Sequence, residues 1–349
     1  MFPIIPANVA EEAGNQEGIF AFGTTGGVTF YNVSNLVSNT GVWGSDVAGV
    51  GTARYGLAAC EYGGDKGIFG FGYDVTNLVV SMTNLVSNTG VVASDVAGVG
   101  TDRNSLGACH YGGDKGIFGF GYNHPPGNLS MTSLVSNTGV VSSDVAGVGT
   151  ARRQMVGTQY GGDKGIFGYG YISSESSITN LVSNTGVVAS DQAATTGTAR
   201  AALGACSYGE DKGIFGFGAY PFTGVTNLIS NTGVVASDAA AVGTGRYKPG
   251  ACEYGGDKGI FGFGKNGGYL SMTNLVSNAG VVATDVTGVG TARYGPAACE
   301  YGGDKGIFGF GYTGSNVGMT NLISNAGVVA TDVTAVGTAR NHLGACSFN

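Results

Sequence analysis

Apolar and polar residues along this chain fall into short strand-like runs separated by turn residues, and no stretch shows the 3.6-residue period of a helix. The stretch beginning at Tyr55 is representative. YGLAACEY predicts a first strand of small and apolar residues, and GGDKG a tight turn whose glycines supply left-handed backbone conformations. KGIFGFGY predicts a second strand with Phe69 and Phe71 on one face and Ile68, Gly70 and Gly72 on the other. Glycine weakens a strand interior and is tolerated where another surface comes close. The phenylalanines of one sheet are therefore expected against the glycine-lined face of its neighbour. MTNLVSN predicts a third strand, NTG a turn, VVASDVA a fourth strand, and GVGTAR a link onward.

The pattern recurs through the chain. GIF begins at Gly18, Gly67, Gly116, Gly165, Gly213, Gly259 and Gly306, at spacings of 49, 49, 49, 48, 46 and 47 residues. NLVSN or a close variant follows at Asn35, Asn84, Ser133, Asn180, Asn227, Asn274 and Asn321. Each unit closes on an arginine: Arg54, Arg103, Arg152, Arg200, Arg246, Arg293 and Arg340. Seven units fill residues 1–349 after a short lead over residues 1–16, so one domain is expected.

Four short antiparallel strands per unit predict an all-β fold built of propeller blades. A parallel β-helix or a leucine-rich solenoid would repeat every ~20–30 residues. An open row of sheets would need divergent capping units, and none is present. Past its lead the chain starts on a second-strand sequence, EGIFAFG, and it stops on a first-strand sequence, NHLGACSFN. The expectation is a seven-bladed β-propeller of four-stranded blades, closed by pairing of the N- and C-terminal strands. Closure also removes an aggregation-prone sheet edge.

The order of an arginine, a small apolar strand, a turn and GIFGFG resembles the Kelch repeat in all seven units. Kelch propellers likewise place an arginine before the first strand and glycines after the second. Their later Tyr and Trp positions are missing here, where Trp43 is the single tryptophan. The wording YGGDKGIFGFGY…MTNLVSNTGVV is also similar to repeat proteins of aquatic bacteriophages and their bacterial hosts. That resemblance implies a virion or surface component.

Composition narrows the functional classes. Glycine supplies 67 of 349 residues without a Gly-X-Y period, charged residues are 11%, and hydrophobic residues reach 42%, a balance unlike that of a disordered chain. A net charge of −7 argues against a nucleic-acid partner. No apolar run approaches the ~18–20 residues that span a bilayer, so no membrane insertion is expected. MFPIIPANVAEEAG lacks the basic and long apolar regions of a secretory signal, and the sequons at Asn32 and Asn128 then carry little meaning.

Most of the charge is periodic. Asp46, Asp95, Asp144, Asp191, Asp238, Asp285 and Asp332 each precede their unit's arginine by 8 residues, or 9 for Asp191. A structural Asp–Arg pair tying the fourth strand to the following link is expected, rather than a metal or acid–base array. The Asp–Lys turns from Asp65–Lys66 to Asp304–Lys305 read as solvated turn residues. Cys60, Cys109, Cys206, Cys252, Cys299 and Cys346 share one first-strand position with Thr158. They read as buried small apolar groups, neither disulfides nor zinc ligands. Glu61, Glu253 and Glu300 alternate at one repeat position with His110, Gln159, Ser207 and Ser347, which is a poor basis for a catalytic carboxylate pair. No catalytic residue, cofactor or metal is assigned.

Two patches vary among otherwise similar units: the segment after the second strand and the few residues after each arginine. In an up-down-up-down blade both lie at one end, opposite the constant GGDK and NTG turns. Loops at one end of a rigid scaffold are the usual place for binding determinants. The candidate ligand-binding residues are therefore Tyr55, Tyr73, His124, Arg153, Tyr220, Phe222, Tyr247, Lys248, Lys265, Tyr269, Tyr294 and His342. The expected function is a non-catalytic structural or binding propeller. It would be a phage tail or fibre component assembled in the host cytoplasm, oligomeric within the virion, that touches a host-surface glycan or protein. The alternative is a free carbohydrate-binding lectin or protein-interaction scaffold of a bacterium, in its cytoplasm or on its surface.

Overall fold

The computed structural model describes residues 16–76, 78–192, 197–334 and 337–348, so Gln16 alone represents the lead. Among these residues every regular element is a strand, and no helix occurs. Three-stranded antiparallel sheets recur seven times. In the second unit Lys66–Gly70 is the central strand, flanked by Ala58–Tyr62 and Thr83–Val86, with Cys60 opposite Ile68 and Ile68 opposite Leu85. One sheet joins the two ends of the chain: Glu17–Ala21 pairs with Gly344–Phe348 on one side and Ser34–Val37 on the other.

The expected fourth strand is reduced to a bridged edge segment. In the second unit it meets the third strand through the bridges Val86↔Val92 and Thr83↔Val96 and through the Asn84 side chain, which donates to Ala93 O and Asp95. Between those bridges Asp95 turns away to bind Thr52 of the preceding link, which interrupts a regular ladder.

The alternation predicted for GIFGFG also fails at one point. Phe69 packs into the cluster with Ile19, Phe22 and Phe348, whereas Phe71 joins Ile68, Leu106 and Phe118 on the opposite side. The cause is local: Phe71 takes a left-handed φ of 66°, as do the equivalent aromatics from Phe22 to Phe310. This reverses the side chain relative to an extended strand. Both faces of each sheet thereby gain a phenylalanine. The expected close approach to glycine is present: a Cβ on Gly70 would lie 2.9 Å from Cζ of Phe118 in the next sheet.

Neighbouring sheets contact through their first strands, from Ala58–Tyr62 against Gly107–Tyr111 onward to Gly344–Phe348 against Ala58–Tyr62. Backbone bonds stitch them at the constant end, where Gly63 N–H donates to Asp114 O at 2.7 Å and Gly302 N–H to Gln16 O at 2.6 Å.

The unit arginines are completely buried and latch consecutive sheets together. The Arg54 guanidinium lies 4.1 Å from the ring centroid of Phe22 in one sheet. It donates to Phe71 O at 3.0 Å and to Asn84 Oδ1 at 2.5 Å in the next. Its carboxylate partner is Asp95, at 3.5 Å, which also accepts from Thr52 and Asn84. The Asp–Arg pairing expected from sequence is thus real but joins a different pair: six of the seven aspartates, all but Asp191, meet the preceding unit's arginine, as Asp144 meets Arg103 and Asp46 meets Arg340. Burial lowers the Arg54 pKa to about 10, opposed by Asp95, so the cation is retained at neutral pH.

All six cysteines are free and buried. The Cys60 sulfur sits where a Cβ on Gly116 of the next sheet would be, 2.7 Å away, and the Thr158 methyl does the same toward Gly213. A small group is required there. Burial pushes the Cys109 thiol up to about 12, which leaves it unreactive.

Candidate binding rim and central channel

The reversal at Phe71 and the turn at Gly72, with φ of 107°, bend the chain leaving the second strand back toward the segment that follows the arginine. The two segments then bridge in every unit: Tyr55↔Tyr73, Asn104↔Tyr122, Arg153↔Tyr171, Ala201↔Ala219, Tyr247↔Lys265, Tyr294↔Tyr312 and Thr24↔Asn341. The two variable patches are therefore zipped into one rim.

The twelve candidate residues fall into three groups on this rim. Tyr55 stacks between Phe30 and Tyr73 at 5.1 and 5.4 Å, with His342 edge-on at 6.1 Å. Arg153 lies over Tyr122 at 4.5 Å and Tyr171 at 5.1 Å, and His124 stands against Tyr122. The third group is the largest. Tyr220 contacts Phe222, which stacks on Tyr247, which stacks on Tyr294, which stacks on Tyr269. Lys248 lies over the Tyr294 ring, and Lys265 lies over Tyr269. Tyr220 is 67% exposed and Phe222 39%, so two flat rings, one of them a phenol, reach solvent. Burial, helped by neighbouring tyrosines, raises the Tyr247 and Tyr294 pKa values. These hydroxyls stay neutral hydrogen-bonding groups. Burial and the nearby Lys248 lower His342 to about 4, which leaves it uncharged at neutral pH.

Tyr122, Tyr171, Tyr312 and Phe30 belong to the same stacks but were not singled out from sequence. Their position directly after GIFGFG or GIFGYG, or within the first variable patch, was the available signal.

Two of the seven bridges carry no aromatic side chain, Thr24↔Asn341 and Ala201↔Ala219. At the second a groove of about 280 Å3 opens, floored by Ala201, Ala202 and Ala219 and bordered by Tyr171, Tyr220, Tyr247, Arg153, Lys248 and Glu175.

Inside the rim, residues two positions after each arginine form a collar. Gly56, Ser105, Gln154, Ala202, Lys248, Gly295 and His342 all have φ between 49° and 65°. They pass backbone hydrogen bonds from one to the next, as Ser105 N–H to Gly56 O at 3.1 Å and Lys248 N–H to Ala202 O at 2.7 Å. The collar opens on a throat bordered by Leu57, Leu106, Met155 and Leu203. Deeper, the first strands enclose a cavity of about 320 Å3, with small residues such as Ala59 and Ala108 and one polar girdle.

That girdle is Glu61, His110, Gln159, Ser207, Glu253, Glu300 and Ser347. Sequence comparison of the units treated these seven as interchangeable, whereas the fold points all of them at one another. Glu253 hydrogen-bonds Glu300 and Ser207; His110 bonds Gln159, and Ser347 donates to Glu61. Burial, followed by the charges of Glu253 and Glu61, raises the Glu300 pKa well above its ordinary value. Among the described residues no group of His, Cys, Asp and Glu is arranged to hold a metal ion.

No protein-family model matches the chain, and no curated protein matches it either. Among solved structures the chain is similar to YjhT, a β-propeller-like protein, at 12% identity and a TM-score of 0.55 over 78% of this chain and 95% of the other. The chain is propeller-like. At that identity the likeness extends to the fold alone.

Proposed function

We propose that the chain is a closed seven-bladed propeller of Kelch-like construction whose aromatic rim is a non-catalytic binding surface. The reading rests on one observation: the two variable segments of near-identical units are brought edge to edge, carrying stacked tyrosines and cations that pair with no carboxylate among the described residues. Such rings suit sugar faces and protein side chains alike, and several weak contacts around one rim would add by avidity. Closure is supported by the sheet that joins both chain ends and by first-strand contacts that return to the starting unit.

The setting we propose is a virion, with the rim toward the host surface and the constant end toward other virion proteins. The constant end favours this arrangement because Val42, Val91, Val140, Val187, Val234, Val281 and Val328, each following an NTG or NAG turn, are 63–67% exposed. A ring of exposed valines is an apolar surface of the kind that assemblies cover. Gradient sedimentation of the protein from its source, with mass-spectrometric detection, tests the setting. Co-migration with phage-sized particles is expected. Migration near 35 kDa would overturn the virion reading and leave a free lectin or scaffold.

A further inference from the structure

The aromatic course of the rim breaks at Ala201↔Ala219, beside a groove whose lining includes two cations with no carboxylate partner among the described residues. The ion pairs among the described residues all fall on repeated Asp–Arg and Asp–Lys positions. Arg153, Lys248 and Lys265 stand outside that scheme, and all three lie on the rim of a chain whose net charge is −7. Arg153 and Lys248 border the same groove. We propose that this groove binds a carboxylate-bearing sugar unit of an acidic glycan. The proposal rests on the rim being a binding surface and names what this groove on it takes.

Each wall of the groove matches one part of such a ligand. Tyr171, Tyr220 and Tyr247 offer flat faces and hydroxyls to the C–H faces and hydroxyls of a pyranose. Arg153 and Lys248 supply the charged donors that a carboxylate needs. Arg153 is held flat between Tyr122 and Tyr171, so little of its freedom remains to be lost on binding. Glu175 accepts sugar hydroxyls and opposes a dianionic phosphate, which favours a hydroxylated monoanion over a nucleotide or inorganic phosphate. The alanines make the space: four other units place tyrosine at the position of Ala219 (Tyr73, Tyr122, Tyr171 and Tyr312), and a ring there would occupy the groove.

That repeat pattern supplies the test. Ala219→Tyr installs the side chain that sister units already carry, so folding is expected to survive, as checked by circular dichroism and melting. Wild type, Ala219→Tyr, Arg153→Met and Lys248→Met would be titrated with oligosaccharides of glucuronic, galacturonic and neuraminic acids, their methyl esters, and neutral counterparts. At least one acid series should bind wild type, with affinity falling about tenfold or more on methyl esterification and in each variant. Binding of neutral and acidic sugars alike, untouched by Ala219→Tyr, overturns the groove proposal while the rim reading stands. Binding of none of these sugars, but of a protein partner through the rim, overturns the groove proposal too. Loss of every rim ligand overturns both. Preference for a nucleotide in the groove overturns the sugar assignment.

Discussion

Arg152 and Arg153 are neighbours in sequence and belong to two different regions of the molecule. Arg152 is fully buried in the latch layer, donating to Tyr169 O, Thr150 O and Asn180 Oδ1 over the ring of Phe120. Arg153 lies on the rim, against Tyr122 and Tyr171, and pairs with no carboxylate among the described residues. The latch layer recurs in all units with small departures, such as Ser133 in place of the asparagine, because every sheet must meet its neighbour in much the same way. The rim differs from unit to unit because no packing requirement fixes it. Repetition here marks what holds the sheets together, and departure from repetition marks what is free to recognise.

The sharpest way to break that division is to remove each arginine in turn. Arg152→Met leaves acceptors on one sheet and its preceding link unanswered, removes the contact with Phe120 of the other sheet, and should lower unfolding free energy by roughly 3–5 kcal/mol. Arg153→Met should cost less than about 1 kcal/mol, the value of an exposed cation–π contact. Denaturant midpoints for the two variants decide it, and equal losses would abolish the distinction.

Two glycines repeat the comparison on a smaller scale. A methyl group on Gly70 would press on Phe118, so Gly70→Ala should destabilise by about 1–3 kcal/mol. A methyl group on Gly268, in the rim hairpin, meets nothing within 4 Å, and Gly268→Ala should stay within about 0.5 kcal/mol. The same unfolding experiment tests both.

The smallest effect concerns pH. Glu300 is raised above its ordinary 4.5, so its contribution is complete below that value and is lost as pH rises through its folded pKa. The latch aspartates, such as Asp95, lie below their ordinary 3.8. Hydrogen bonds from Thr52 and Asn84 and the charge of Arg54 outweigh desolvation there, so their contribution is present above 3.8 and lost as pH falls further. The melting temperature should therefore climb on acidification from neutrality toward about 4.5 and drop well below 3.8. Glu300→Gln should flatten the first limb and spare the second.

Much of this was legible in the residues. The seven units, their strand order, the phenylalanine-on-glycine packing and the shared end of the two variable patches follow from periodicity and turn chemistry. Three features did not. Strict alternation cannot foresee that Phe71 reverses, because the left-handed backbone there accompanies contacts from distant arginines, Arg54 bonding its carbonyl and Arg103 stacked on its ring. Sequence proximity suggested Asp95 with Arg103, eight residues on, whereas the fold pairs it with Arg54, 41 residues back. Glu61, Glu253 and Glu300 looked like substitutes for one another because each unit was read alone. Only the packing of first strand against first strand places them in one girdle.

The sheet that joins the two ends also imposes an order in time. Glu17–Ala21 leaves the ribosome more than 300 residues before Gly344–Phe348, so at ~5–20 residues per second the earlier strand waits on the order of tens of seconds for its partner. Throughout that interval Ile19 and Phe20, destined for complete burial, border an unpaired edge. Translation speed, rather than intrinsic strand pairing, then sets when the last seam can close.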